Sequence, residues 1–148
     1  PTKKAQQAGF TQVVWTDAIE HKYIEESGTM NIMFRINDSL ITPSLSESIL
    51  AGITRDSILK IAKEKGISVE ERKIAISEIM EAHQKGTLQE AFGVGTAVAV
   101  NPINSITFRE EKIEIEAIGN SYAHQLKAEL QNIQQGVCPD KYNWIVTV

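Results

Sequence analysis

Tyr23-Ile24-Glu25-Glu26-Ser27-Gly28-Thr29-Met30-Asn31-Ile32, running on through Met33-Phe34-Arg35-Ile36, is the stretch from which the fold is read. Two carboxylates, a hydroxyl and a glycine lead directly into an apolar run, and the pattern predicts a buried strand over 29–36 with polar groups at its mouth. On these residues alone the plainer reading is an acidic loop ahead of a strand. Two later glycine-containing loops turn the reading toward a binding site.

Working outward, the chain has 148 residues, which suits one domain with an ordinary hydrophobic core. Hydrophobic residues make up 42%, charged residues 23%, and the net charge is −4, the balance of a soluble globular protein. Basic residues alternate with acids, as in Lys63-Glu64-Lys65 and Glu70-Glu71-Arg72-Lys73, so the sequence lacks the clustered Lys and Arg that a nucleic acid or an anionic membrane requires. The single cysteine, Cys138, excludes an internal disulfide framework and a cysteine-based zinc site, and a reducing cytoplasm is the expected location. The chain opens Pro1-Thr2-Lys3-Lys4 with no initiator Met, and the expectation is a portion of something longer.

Ahead of the opening stretch, the pattern predicts a helix over 1–8 stopped by Gly9, then a strand over 10–15. Behind it, Asn37-Asp38 is a turn pair, which makes 29–36 and 39–42 a hairpin. A turn-rich loop, Thr42-Pro43-Ser44-Leu45-Ser46-Glu47-Ser48, reaches Ile49-Leu50-Ala51-Gly52-Ile53-Thr54-Arg55, after which Ile58, Ile61 and Ala62 form one face of a helix ending at Gly66. A glycine before a hydroxyl residue at a helix start can present free N–H groups to an anion, although Thr54 is also readable as a simple helix cap. Further strands are predicted over 67–74, 97–100, 105–108, 112–115 and 140–148, and helices over 77–85 and 120–135. Gly93-Val94-Gly95-Thr96-Ala97 reads as a loop whose backbone approaches a ligand. It is not a dinucleotide fingerprint, because a third glycine and a following helix are both absent.

His21, His83 and His124 are far apart and have no metal-ligand spacing, and no Ser/His/Asp or Cys/His set stands out. Glu25 and Glu26 are neighbours, so in a strand they point to opposite faces. What remains is a carboxylate at Glu26 and two sets of backbone donors with a hydroxyl, around Ile53-Thr54 and Thr96-Ala97. That set suits a ligand with a protonatable nitrogen at one end and an anion at the other, and pyridoxal phosphate has both.

At these motifs the chain resembles the C-terminal portion of a branched-chain amino acid aminotransferase, in the pyridoxal-phosphate fold type IV shared with D-amino acid aminotransferases and aminodeoxychorismate lyases. The resemblance is carried by Gln12-Val13-Val14-Trp15-Thr16-Asp17, Glu26-Ser27-Gly28-Thr29-Met30-Asn31, Thr42-Pro43-Ser44-Leu45, Ile49 through Arg55, Glu90-Ala91-Phe92 through Ala97, and Trp144. It implies a mixed α/β fold, a mixed-sheet pseudo-barrel flanked by helices, with 1–148 as the single cofactor-binding C-terminal domain of a two-domain enzyme.

The resemblance also implies roles. Glu26 would face the pyridine nitrogen of pyridoxal 5'-phosphate, and Leu50 would pack on its ring. Gly52, Ile53 and Thr54 would receive the phosphate, with the Thr96 hydroxyl as a further donor. Thr96 and Ala97 would hold the substrate carboxylate, and Thr29 would lie near the exposed face of the cofactor. The family's Schiff-base lysine lies in a Lys-x-Gly-Gly-Asn-Tyr motif that these 148 residues do not contain, so the chain by itself is expected to be inactive and to bind the cofactor weakly if at all. The implied partners are an N-terminal domain, a second subunit in a homodimer, and leucine, isoleucine or valine with 2-oxoglutarate. Two rivals are a D-amino acid aminotransferase or lyase of the same fold type, and a lysine-free binding module.

Overall fold

The computed structural model describes residues 1–116 and 118–146. Strand β3 (Met30–Ile36) is the predicted one, and every residue in it from Asn31 to Ile36 is buried. One edge pairs antiparallel with β6 (Leu88–Gly95) along nearly its whole length. The other edge is shared, with β2 (Ile24–Ser27) on its first residues and β4 (Ser39–Thr42) on its last. Outside these lie β1 (Val14–Thr16) against β2, β5 (Val69–Glu71) parallel to β4, and β7 (Ala99–Pro102) against β6, giving a mixed seven-stranded sheet. A separate hairpin joins β8 (Ser105–Phe108) to β9 (Glu111–Glu114). The helices are α1 (Thr2–Gln7), α2 (Ile53–Glu64), α3 (Ile76–Gln84) and α4 (Tyr122–Gln134).

The alternation along β3 divides the core. Ile32, Phe34 and Ile36 point to one face and pack with Ile24, Ile79 of α3 and Ile106 and Ile113 of the hairpin. Met33 points to the other and packs with Phe92, with Ile58 and Ile61 of α2, and with Leu126 and Leu130 of α4. The turn between β3 and β4 places Asn37 and Asp38 at φ of 49° and 62°, as a two-residue hairpin turn demands.

Several predicted boundaries shift. Glu25 and Glu26 belong to strand β2, so the opening stretch is a hairpin turning at Gly28, not a loop ahead of a strand. The strand predicted over 10–15 is confined to Val14–Thr16. The one predicted over 67–74 is confined to Val69–Glu71, because Ile74 leaves β4 and its carbonyl accepts from the N–H of Ile24. Gly93 and Gly95 lie inside β6 and not in a loop, and only 96–98 form the turn. No strand forms over 140–146, since the Asp140 carboxylate accepts the N–H groups of Tyr142 and Ile145 and holds the segment in a turn, with Tyr142 stacked on Trp144 at 4.1 Å. The remainder of that prediction, 147–148, lies outside the described residues.

At the far end of β3, Arg35 is buried and meets Glu90, its register partner on β6, at 3.1 Å. Arg35 also donates to the Asn120 carbonyl at 2.6 Å, pairs with Asp38 and lies under the Tyr122 ring. Glu90 in turn accepts the N–H groups of Tyr122 and Ala123 at 2.7 and 3.1 Å and the Ser121 hydroxyl at 2.6 Å, so a sheet carboxylate caps α4. Removing one member of a buried pair leaves the other charge uncompensated, at a cost of about 3–5 kcal/mol. Glu90→Ala is therefore expected to lower the unfolding free energy by about that amount in urea denaturation, far more than Glu110→Ala on the exposed hairpin.

Candidate functional site

At the opposite end of β3 the three quoted motifs meet at one residue. Asn31 pairs in register with Glu26 of β2 on one side and with Val94 of β6 on the other. Its Nδ2 donates to the Leu50 carbonyl at 2.9 Å and to Glu26 Oε1 at 3.3 Å. The same Glu26 oxygen accepts the N–H of Leu50 at 3.1 Å, so among the described residues both hydrogen bonds of this carboxylate fall on Oε1 and neither on Oε2. Glu25 is held separately by the Ser48 hydroxyl at 2.6 Å.

The chain passes from Leu50 through Gly52 into α2. Gly52 is required sterically, since a Cβ there would lie 2.4 Å from Asn31 Oδ1. Gly52 occupies the N-cap position with extended φ and ψ of −66° and 133°, and among the described residues no side chain caps the helix. Thr54 thus lies within the first turn and does not cap it. In contrast to α4, whose first N–H groups are taken by Glu90 and Ser121, the start of α2 presents N–H donors without a side-chain partner among the described residues, together with the positive end of the helix dipole. Beside it two apolar side chains stand in the open, Leu50 at 71% and Ile53 at 84% exposure.

The position of α2 is set by Arg55, which is buried and donates to the Pro43 carbonyl and to Glu71, each at 3.0 Å. Burial pushes the Glu71 carboxyl up, but Lys63 and Arg55 on the same carboxylate together hold it below the usual carboxylate range. Thr96 and Ala97 are exposed in the turn that follows Gly95, and Thr29 is exposed in the turn at Gly28, just before β3. Trp15 donates its indole N–H to the Gly28 carbonyl at 3.1 Å and fixes that turn. Gly93 and Gly95 do not open the backbone to solvent. They make room for Met30, whose Cε would lie 2.7 Å from a Cβ on Gly93.

A cleft of about 670 Å³ opens beside the same turn, lined in part by Phe10, Gln12, Ser27, Met30 and Asn101. Ser27 and Met30 alternate with Glu26 and Asn31, so this cleft is on the opposite face of the hairpin, and none of the residues named for cofactor or substrate lines it. Among the described residues no three His, Cys, Asp or Glu side chains are grouped to hold a metal ion, and no helix is long and apolar enough to cross a membrane.

Sequence comparison matches residues 2–106 to the model of amino-transferase class IV. The chain belongs to that family. It is 44% identical over 145 residues to branched-chain-amino-acid aminotransferase 2 of Bacillus subtilis, covering 97% of this chain but 40% of that protein. Among solved structures, the branched-chain amino acid aminotransferase of Escherichia coli superposes with a TM-score of 0.81 at 26% identity, covering 99% of this chain and 44% of the other. The pyridoxal-phosphate form of the Thermobaculum terrenum branched-chain amino acid aminotransferase does so at 0.80 and 26%, covering 97% and 44%. The chain therefore spans well under half the length of these relatives.

Asn31 and Arg55 have no role assigned from sequence, although each carried a signal. Asn31 is the one polar residue within the apolar run Met30–Phe34, and Arg55 is a charge at the start of an amphipathic helix. The crowding at Gly52 has a measurable outcome. Gly52→Ala must displace an amide held by two hydrogen bonds, whereas the nearest atoms to a Cβ on Gly93 are the flexible Cε and Sδ of Met30, with Met30 Cβ farther off at 3.3 Å, so Gly52→Ala is expected to lower the melting temperature more. The expected loss for Gly52→Ala is about 1–3 kcal/mol.

Proposed function

We propose that this chain is the cofactor-binding, C-terminal domain of a branched-chain amino acid aminotransferase whose complete form transfers the amino group of leucine, isoleucine or valine to 2-oxoglutarate. The observation that carries the reading is the convergence at Asn31 of Glu26, the Leu50–Gly52 segment that opens α2 and Val94, shortly before the β6–β7 turn. The residues fit pyridoxal phosphate. Glu26 offers a carboxylate oxygen with no other partner among the described residues, α2 offers uncapped N–H groups, and exposed Leu50 offers an apolar surface for a ring.

In this reading Glu26 keeps the pyridine nitrogen protonated, since an opposite charge in contact shifts a pKa by about 1–3 units. The N–H groups of Ile53 and Thr54, with the Thr54 and Thr96 hydroxyls, bind the phosphate, and the dipole of α2 adds about 0.3–2 kcal/mol. Bound pyridoxal phosphate supplies the electron sink that stabilises charge developing at the substrate α-carbon. The N–H groups of Thr96 and Ala97 orient the substrate carboxylate, and Thr29 sits beside the open face. The proposed reaction also needs a lysine, which comes from outside these residues. So do the further surfaces that would cover Leu50 and Ile53, from an N-terminal domain and a second subunit in a cytoplasmic homodimer.

The test uses the complete gene product. Amino transfer from leucine to 2-oxoglutarate is expected, and Glu26→Gln is expected to lower kcat by about tenfold or more, as the smallest of these pKa shifts implies. Transfer from D-alanine with none from leucine, isoleucine or valine would reassign the protein within its fold type.

A further inference from the structure

We infer that Asn31 is a positioning residue whose single amide group locks the Glu26 carboxylate to the Leu50 carbonyl and so keeps the carboxylate in register with the start of α2. The inference rests on the proposed role of Glu26 toward the cofactor. Asn31 is 6% exposed and lies on a strand paired along both edges, so its own place is set by the sheet. From there it closes a ring of three hydrogen bonds: Nδ2 to the Leu50 carbonyl, Nδ2 to Glu26 Oε1, and the Leu50 N–H to that same Glu26 oxygen. The Leu50 carbonyl also accepts the N–H of Gly52 at 2.8 Å, which carries the ring into the residue that opens α2.

The chemistry of the position is narrow. The side chain must donate to a carbonyl and a carboxylate at once, from a buried strand and without a charge of its own. An aspartate there would set a second carboxylate against Glu26, and an apolar residue would leave the Leu50 carbonyl with one donor fewer. The amide also fills the space that Gly52 leaves open. By holding Oε1 from two directions the ring fixes the rotation of the carboxylate, and with it the place of Oε2, while the loop that carries the proposed phosphate donors is tied to the same group. A cofactor bridging Glu26 and α2 would then meet two groups already spaced for it, rather than ordering them on binding.

The experiment is a double-mutant cycle on the complete gene product, stripped of cofactor and titrated with pyridoxal phosphate, with the dissociation constant read from fluorescence. Asn31→Ala is expected to weaken binding about tenfold, the loss of one buried hydrogen-bonding group. Glu26→Gln should weaken it as well, and the double variant should stay within about twofold of the weaker single one, because both act through one carboxylate. In Asn31→Ala the pH midpoint of the bound cofactor's absorbance should move in the same direction as in Glu26→Gln, which a loss of stability alone would not produce. Where Asn31→Ala does not fold, Asn31→Asp, of the same volume, replaces it in the cycle. An unchanged dissociation constant, or single effects that multiply in the double variant, would overturn the role of Asn31 while leaving Glu26 intact. Wild-type protein that does not bind, or Glu26→Gln that binds as wild type, would instead defeat the reading on which the inference rests.

Discussion

The structure depends on one constraint: β3 is closed to water on both faces and paired along both edges. A strand so placed has no solvent to satisfy a polar side chain, so each polar group on it must find partners in the protein. β3 carries two beyond its first residue, Asn31 and Arg35, on the same face and turned toward the helices α2 and α4. Each meets a carboxylate that is its register partner, Glu26 for Asn31 and Glu90 for Arg35. The two ends then diverge. Glu90 is consumed in capping α4, so that end is structural, whereas among the described residues Glu26 has no partner on Oε2 and no side chain caps the helix start beside it.

Much of this was legible in the residues. The apolar run at 30–36, the Asn37-Asp38 turn and the stripes of α2 and α4 encode their own structure, because periodicity and turn chemistry are local properties. The strand boundaries were less legible. Glu25-Glu26 reads as a loop in isolation and becomes a strand because β1 and β3 pair with it. Val146 and its neighbours read as a strand, but Asp140 supplies hydrogen bonds that compete with any ladder. Gly93 and Gly95 signal missing side chains without saying what fills the space, and the occupant, Met30, lies more than sixty residues earlier in the chain. The same holds for Arg35 with Glu90 and for Asn31 with Leu50, whose partners only the fold brings together.

Membership of the amino-transferase class IV family joins these physical observations to a chemistry. Pairing a carboxylate with a helix start suits a ligand that is cationic at one end and anionic at the other. The open, apolar Leu50 and Ile53 between them suit a flat ring. In the proposed function the residues of this chain would bind the cofactor and tune it, with the sheet as their rigid support.

The most direct measurement of that frame is a crystal structure of the complete gene product with pyridoxal phosphate bound. The pyridine nitrogen is expected within hydrogen-bonding distance of a Glu26 carboxylate oxygen, with the phosphate on the N–H groups of Ile53 and Thr54. A ring nitrogen facing any other group, or a phosphate held away from the start of α2, would contradict it.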